Sequence, residues 1–446
     1  MGGRGAIQKE GYALQKLMDK YFRLTGSHTT ARKEILAGTV SFFTIVYIIA
    51  VNSSIMADAG IPVEAGIIAT ILTSFVGCLL MGFGANAPIM LVPGMGINAL
   101  FSYTLVQGMG LTWQEALAAV FVSGMLFALV AFTSLTTKIA QAIPESLKEA
   151  ITVGIGLFLA FIGLQKGGIV VASPTTFVAL GDFSSAPVLL TLATLLITVF
   201  LFIRNVPGNF LIGILLGTSL AALFGQIDIE RMGHVGFSSS EYRSVFGAMS
   251  FDNVASAAFW IASFSMALVV VFENIGLIHS HLRMADKSES FDRAMRTTSL
   301  SVIACGLFGT SPTVATVESA AGIATGGKTG LTAVVTGMLF LLSFFFIPVI
   351  RLIPDSAIAP VLIIIGGLMI QSVRNIDFQD FSEGFPAFLV IALIPLTYSI
   401  VDGIAFGFIV YPLLKLALGR GKEIALPLYL IAGLFLLNFV FHAIGT

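Results

Sequence analysis

Fourteen apolar stretches, separated by short polar or Pro/Gly-containing breaks, run through almost the whole chain and decide what it can fold into. They lie near residues 35–56, 65–83, 95–107, 114–135, 146–164, 187–204 and 207–225, then 257–280, 291–307, 313–325, 329–350, 356–372, 384–399 and 400–418. A helix needs about 20 apolar residues to cross roughly 30 Å of hydrocarbon. Inside lipid, its backbone polar groups must also be satisfied within the protein. The pattern therefore predicts an all-α polytopic membrane protein with 14 transmembrane segments, two of which, 95–107 and 313–325, are too short to cross as plain helices. Only 11% of the residues are charged, against about 25% in a soluble domain.

Several function classes drop out at once. A net charge of −1 carries no signal for nucleic acid. Cys78 and Cys305 both fall inside apolar stretches, so neither a disulfide framework nor a cysteine metal site is indicated. His279 and His281 are two residues apart and face different sides of a helix, which argues against a metal pair. No HExxH motif or paired-aspartate signature suggests an enzyme. Residues 1–33 lack the apolar core of a cleavable signal. Leu14, Leu17, Met18, Tyr21 and Phe22 recur there at helical spacing among Lys16, Lys20 and Arg23, which reads as a basic helix on the cytoplasmic membrane surface. The apolar stretch 424–443 fits either an interfacial helix or a further crossing.

The basic residues orient the chain. With a cytoplasmic N-terminus, 19 of the 23 Lys and Arg fall inside, and only Lys166, Arg231, Arg243 and Arg351 fall outside. This is the asymmetry of the positive-inside rule. The two halves also echo each other: "IPESLKEAITVGIGL" (143–157) aligns with "IPDSAIAPVLIIIGG" (353–367) at an offset of 210. Each half has its short segment in third place, preceded by Pro93 or Pro312. Seven is odd, so the second half enters the membrane inverted. A 7+7 inverted repeat with interrupted segments at matching positions points to a secondary transporter with its site near the midplane. Half-helix N-termini, with their free N–H groups, come near the centre in that arrangement.

Few ionisable residues lie deep in the segments. Glu273, in "LVVVFENIGLI" (268–278), is central in the eighth, and Glu318 lies in the short tenth. Intramembrane carboxylates usually mark substrate or proton paths. Thr313, Val314, Thr316 and Val317 favour an extended piece before Glu318, and Ala320, Ala321 and Gly322 permit close packing after it. Asp402, Glu115 and Glu149 sit near segment ends, where hydration is cheap. "GIATGGKT" (322–329) satisfies the phosphate-loop pattern. That loop needs a strand before it and a helix after it within an α/β domain. Here it falls between two membrane segments, so its glycines are read as a tight turn.

"EILAGTVSFFTIVYIIAVNSSIM" (34–56), "APIMLVPGMGINALFSYTLVQGMGLTWQEALAAVFVSGMLF" (87–127), "AIPESLKEAITVGIGLFLAFIGLQKGGIVV" (142–171) and "TVESAAGIATGGKTGLTAV" (316–334) resemble the AzgA-type purine permeases of the nucleobase–cation symporter 2 superfamily. The likeness runs from about residue 30 to 420. It implies a core domain (34–135 and 257–350) and a gate domain (136–225 and 351–418), joined by an external linker (226–256) and flanked by a cytoplasmic basic N-terminal region (1–33) and a C-terminal region (419–446). It further implies elevator-like motion, a homodimer in the cell membrane, and proton-coupled purine uptake without a cofactor. The base is expected between the third and tenth segments, held by Glu273 and Glu318. Many relatives carry Asp-Thr where this chain has Glu273-Asn274, and uracil-type relatives have a histidine at the position of Leu277. These departures leave the order of preference among adenine, guanine, hypoxanthine and xanthine open.

On this reading Glu318 accepts from the N1–H and 2-amino group of an oxopurine. Glu273 meets the opposite edge and exchanges the proton, since apolar surroundings favour the neutral form of a carboxylic acid. Two acids close together titrate jointly, so the proton is assigned to the pair. Gly96, Ile97 and Asn98 with Thr316, Val317 and Ser319 form the expected cradle, and Phe42, Phe43 and Thr44 the expected wall. The alternatives are another nucleobase, xanthine or uracil, and a small anion on the same fold.

Overall fold

The computed structural model describes residues 19–133, 142–227 and 239–444. Leu14, Leu17 and Met18 of the expected surface helix lie outside the described residues, as do residues 136–141 of the expected gate domain and 228–238 of the linker. Nine helices among the described residues are long and apolar enough to cross a membrane. In chain order they are segments 1 (Ala31–Asp58), 2 (Val63–Ala85), 4 (Trp113–Ala131), 5 (Glu145–Lys166), 6 (Ala186–Ile203), 8 (Ala257–Met284), 11 (Gly330–Ile350), 12 (Asp355–Asn375) and 14 (Ile400–Ala417). Segments 7 (Asn209–Leu223), 9 (Phe291–Phe308) and 13 (Phe381–Thr397) are shorter or more polar. Segments 3 and 10, both interrupted, complete the expected fourteen. A last apolar helix, Leu426–Ile444, follows them.

Segment 3 begins as strand β1 (Leu91–Pro93), turns into the helix Met95–Ala99 and widens into π-type turns over Leu100–Gly108. Strands β2 (Val170–Ser173) and β3 (Phe177–Leu180) form a small hairpin after segment 5. Segment 10 begins as strand β4 (Thr313–Ala315), and its helix is Ser319–Ala324. β1 and β4 pair antiparallel, with Leu91 opposite Ala315, Val92 opposite Val314 and Pro93 opposite Thr313. The β-branched Thr313 and Val314 favour the extended form. Pro93 cannot donate, and the chain turns just beyond it, where the Gly94 N–H reaches the Pro312 carbonyl at 3.2 Å. All six strand residues are buried. At that depth the backbone groups need protein partners, and each strand supplies them to the other.

The helices pack in two groups. Segment 9 packs on 4, 8 on 4, 11 on 1 and 2, and 2 on 1; separately, 12 packs on 5, 13 on 5 and 14, and 7 on 6. The inverted repeat is visible at one close approach. Gly156 and Gly366, 210 residues apart like the aligned motifs, meet between segments 5 and 12. A Cβ on Gly366 would stand 2.3 Å from the Gly156 carbonyl oxygen, so these helices touch backbone to backbone.

Candidate functional site

The paired strands bring the heads of segments 3 and 10 together, and segment 8 packs across both. Asn274, fully buried, fixes that crossing. Its Oδ1 accepts from the Ala315 N–H at 3.0 Å, and its Nδ2 donates to the Val270 carbonyl at 2.8 Å. Glu273, its neighbour, is half-buried and makes no hydrogen bond or ion pair among the described residues. Three residues beyond Ala315, Glu318 is half-buried at the start of the segment 10 helix. Its Oε1 accepts from the Tyr47 hydroxyl at 2.5 Å. Glu318 thus stands just past the end of β4, and Glu273 adjoins the residue whose side chain holds that strand.

The expected cradle divides. Asn98 is fully buried, and neither its Nδ2 nor its Oδ1 has a hydrogen-bond partner among the described residues. Buried polar groups in folded proteins are nearly always hydrogen-bonded, so this amide is a candidate for contact with a polar substrate. Thr316 is buried two residues before Glu318. Ser319 is already engaged, its Oγ accepting from the Met90 N–H at 3.1 Å, so it ties the two interrupted segments together. Gly96 faces Ile155 of segment 5, where a Cβ would stand 2.7 Å from Ile155 Cγ2. Ile97 is buried in the core, whereas Val317 is 67% exposed. Phe42 meets Phe43 edge-on at 5.4 Å and Phe340 at 5.3 Å. Phe43 itself is 49% exposed. The Thr44 hydroxyl donates to the Ser41 carbonyl at 2.7 Å.

Three features escaped the sequence reading. Tyr47 sits where segment 1 breaks between the helices Ala31–Ile45 and Ile48–Asp58, and nothing in "FTIVYIIAV" marks its partner. Asn52 gathers Thr70, Thr310 and Ser311 at 2.8, 2.9 and 3.1 Å, bracing segments 1 and 2 against the entry to β4. Glu34, fully buried, accepts from the N–H groups of Lys328 and Thr329 at 2.9 and 3.2 Å and from the Thr332 hydroxyl at 2.6 Å. Asn86 takes the Gly330 N–H at 2.8 Å. The phosphate-loop lookalike therefore has its backbone donors filled within the protein, by Glu34 at Lys328 and Thr329 and by backbone carbonyls at Gly326 and Gly327, and it serves as the turn the sequence suggested.

At one end of the molecule, Lys166 joins the two helix groups. Its Nζ lies 2.8 Å from Asp58 of segment 1 and 3.4 Å from Asp355 of segment 12. Asp58 also accepts from the Tyr103 hydroxyl.

Residues 32–406 match the sequence profile of the Permease family. Over 383 residues the chain is 57% identical to the nucleobase transporter PlAzg2 of Paenibacillus larvae, covering 86% of this chain and 77% of that one. It is 41% identical over 419 residues to the guanine/hypoxanthine permease PbuO of Bacillus subtilis, with 90% and 96% covered. With the adenine permease AdeP of Escherichia coli the identity is 36% over 433 residues, with 96% and 97% covered. Among solved structures, the transmembrane domain of the cyanobacterium bicarbonate transporter BicA superposes with a TM-score of 0.62 at 18% identity, over 84% of this chain and 97% of that one. Murine Slc26a9 in its inward-facing state gives 0.63 at 11% identity, over 87% and 68%. At such identities the likeness speaks for the fold alone, the 7+7 inverted repeat.

Proposed function

The chain belongs to the Permease family and is a multi-pass membrane transporter rather than an enzyme; from that premise we propose that it carries purine nucleobases in symport with protons. The relatives named for nucleobase, guanine/hypoxanthine and adenine transport support the substrate class. The observation that carries the site is the junction of β1 and β4, where Glu318 follows the strand end, Glu273 adjoins the Asn274 that clasps β4, and Asn98, five residues after β1, has both polar atoms of its buried amide free among the described residues. A purine edge offers alternating donors and acceptors, which suits two carboxyls and one amide. Glu318 receives the N1–H side of the base, Glu273 the opposite edge, and the pair handles the coupled proton.

The two helix groups support an elevator-like division of labour. Segments 1–4 and 8–11 form the core that carries the base, and segments 5–7 and 12–14 form the gate. The protein works as a homodimer in the cell membrane. Its N-terminus lies in the cytoplasm, an orientation that the distribution of Lys and Arg supports. Anion carriage on the same fold fits poorly, because the two central acids would repel an anion.

Uptake of labelled hypoxanthine into proteoliposomes, with and without an imposed proton gradient, tests this reading. Adenine, guanine, xanthine and uracil serve as competitors. Gradient-dependent uptake blocked by purines is expected, and competition by uracil alone would move the substrate to the pyrimidines. Uptake by Glu318→Gln at the parent's rate would remove the assigned fork. Unaltered pH dependence in Glu273→Gln would place the proton elsewhere.

A further inference from the structure

Tyr47 touches both the proposed substrate acid and the opposite helix group. It lies at the break in segment 1 and is 2% exposed. Its hydroxyl donates to Glu318 Oε1 at 2.5 Å, across 271 residues of sequence. Its ring meets Phe210 of segment 7 edge-on, with centroids 5.2 Å apart and planes at 66°. Phe210 in turn stacks on Phe202 of segment 6 at 6.0 Å. The polar end of one residue is thus committed to the acid in segment 10, and its apolar face to segments 6 and 7.

We infer that Tyr47 is a positioning residue for substrate: it fixes the Glu318 carboxyl for the purine and, through Phe210, makes that alignment depend on how the two helix groups are docked. The inference rests on the purine reading above. A glutamate side chain has three rotatable bonds, so a free Glu318 would spread over several rotamers. A hydrogen bond to a carboxylate is among the stronger kinds, and Tyr47 is a rigid donor anchored by its buried ring. The remaining acceptor sites of Glu318 stay available, because a carboxylate offers about four. When the groups slide past each other, Phe210 leaves the Tyr47 ring and the anchor loosens. Segment 7 thereby senses the site without touching the base.

Two variants separate the two ends of this contact. Tyr47→Phe keeps the ring on Phe210 and removes the hydroxyl. Equilibrium binding of labelled guanine to the purified full chain is expected to weaken about tenfold, the scale of one such hydrogen bond. Phe210→Ala keeps the hydroxyl and loosens the ring that carries it, so guanine affinity is expected to fall by a smaller step, about threefold against the tenfold that 1.4 kcal/mol represents, and the transport rate falls with it. Parent-like affinity in Tyr47→Phe overturns the inference. So does an equal loss of affinity in both variants, which would mark a purely structural role.

The bond can also be read without substrate, which keeps this test apart from the purine assignment. The infrared carboxyl band that disappears in Glu318→Gln should move in ligand-free Tyr47→Phe and broaden without a comparable shift in Phe210→Ala. A band that does not move in Tyr47→Phe overturns the inference whether or not the parent binds guanine.

Discussion

Replacing Asn274 with leucine removes the clasp between segment 8 and β4 while nearly keeping the side-chain volume. The consequence can be worked from its two bonds. The Val270 carbonyl lies four residues earlier in the same helix and keeps its helical N–H, so losing the Nδ2 donor costs little. The Ala315 N–H is different. Ala315 is fully buried, and its N–H is committed to Asn274 Oδ1. An orphaned buried donor costs about 1–3 kcal/mol, a shift of a few degrees at most in the unfolding midpoint of a chain this large. If the whole cost falls on the purine-bound state, affinity drops about 5- to 150-fold. Heating the purified protein with a thiol-reactive dye reads the midpoint directly. Cys78 and Cys305 are both fully buried and become reactive only when the fold opens. Asn274→Thr keeps an acceptor on a shorter side chain and should fall between the parent and Asn274→Leu. An unchanged midpoint together with unchanged guanine binding in Asn274→Leu would refute the reasoning and leave the Ala315 bond without energetic weight.

Glu34→Ala should lower the same midpoint more than Glu34→Gln, because alanine strands three donors where glutamine still offers one oxygen; equal losses would mean that water replaces the carboxylate. Lys166→Met should open the end of the molecule that we assign to the outside. A cysteine at Ser54, beside Lys166, should then react faster with a membrane-impermeant maleimide, and an unchanged rate would show that the ion pairs do not hold the two groups. Beyond segment 13's inner end, a hydrogen bond from Ser382 and then the Arg420 guanidinium hold the Asp380 carboxyl well below the usual carboxylate range, and Arg420 and then Lys415 lower that of Glu423. Both groups lend stability above their ordinary pKa near 4 and lose it as pH falls below that value. The melting difference between parent and Arg420→Met should therefore shrink in acid, and a constant difference would contradict the assignment.

The segments were legible because apolar length and breaks obey the thickness of a bilayer. Pro93 and Pro312 marked the interrupted segments, and the pairing of β1 with β4 follows from placing two extended pieces at one depth. Glu273 and Glu318 stood out because a carboxylate in hydrocarbon is costly. What stayed hidden shares one cause: its partners are remote in sequence. Tyr47 looks like any aromatic in an apolar run, and its bond to Glu318 spans both halves of the repeat. Glu34 reads as an acid in the first turn of a helix, yet it fills the turn before segment 11, 294 residues away. Asn274 reads as one half of a Glu-Asn pair where relatives have Asp-Thr, and only the structure shows its side chain spent on Val270 and Ala315. Any influence on purine choice therefore passes through the position of the strand. The β2–β3 hairpin also went unread, since its residues carry no burial pattern to reveal it.

The β1–β4 pair also sets a clock for making the protein. Pro93 and Thr313 lie opposite each other but 220 residues apart in the chain. A ribosome adding about 5–20 residues per second needs roughly 10 to 45 s to cover that distance. Throughout that interval the first half sits in the membrane with one strand edge bare at a depth where no water can satisfy it. The insertion machinery, or a temporary fold of segment 3, must shelter that edge until the second half arrives. Nascent chains stalled before residue 313 should therefore be the forms that a cell's membrane proteases remove fastest.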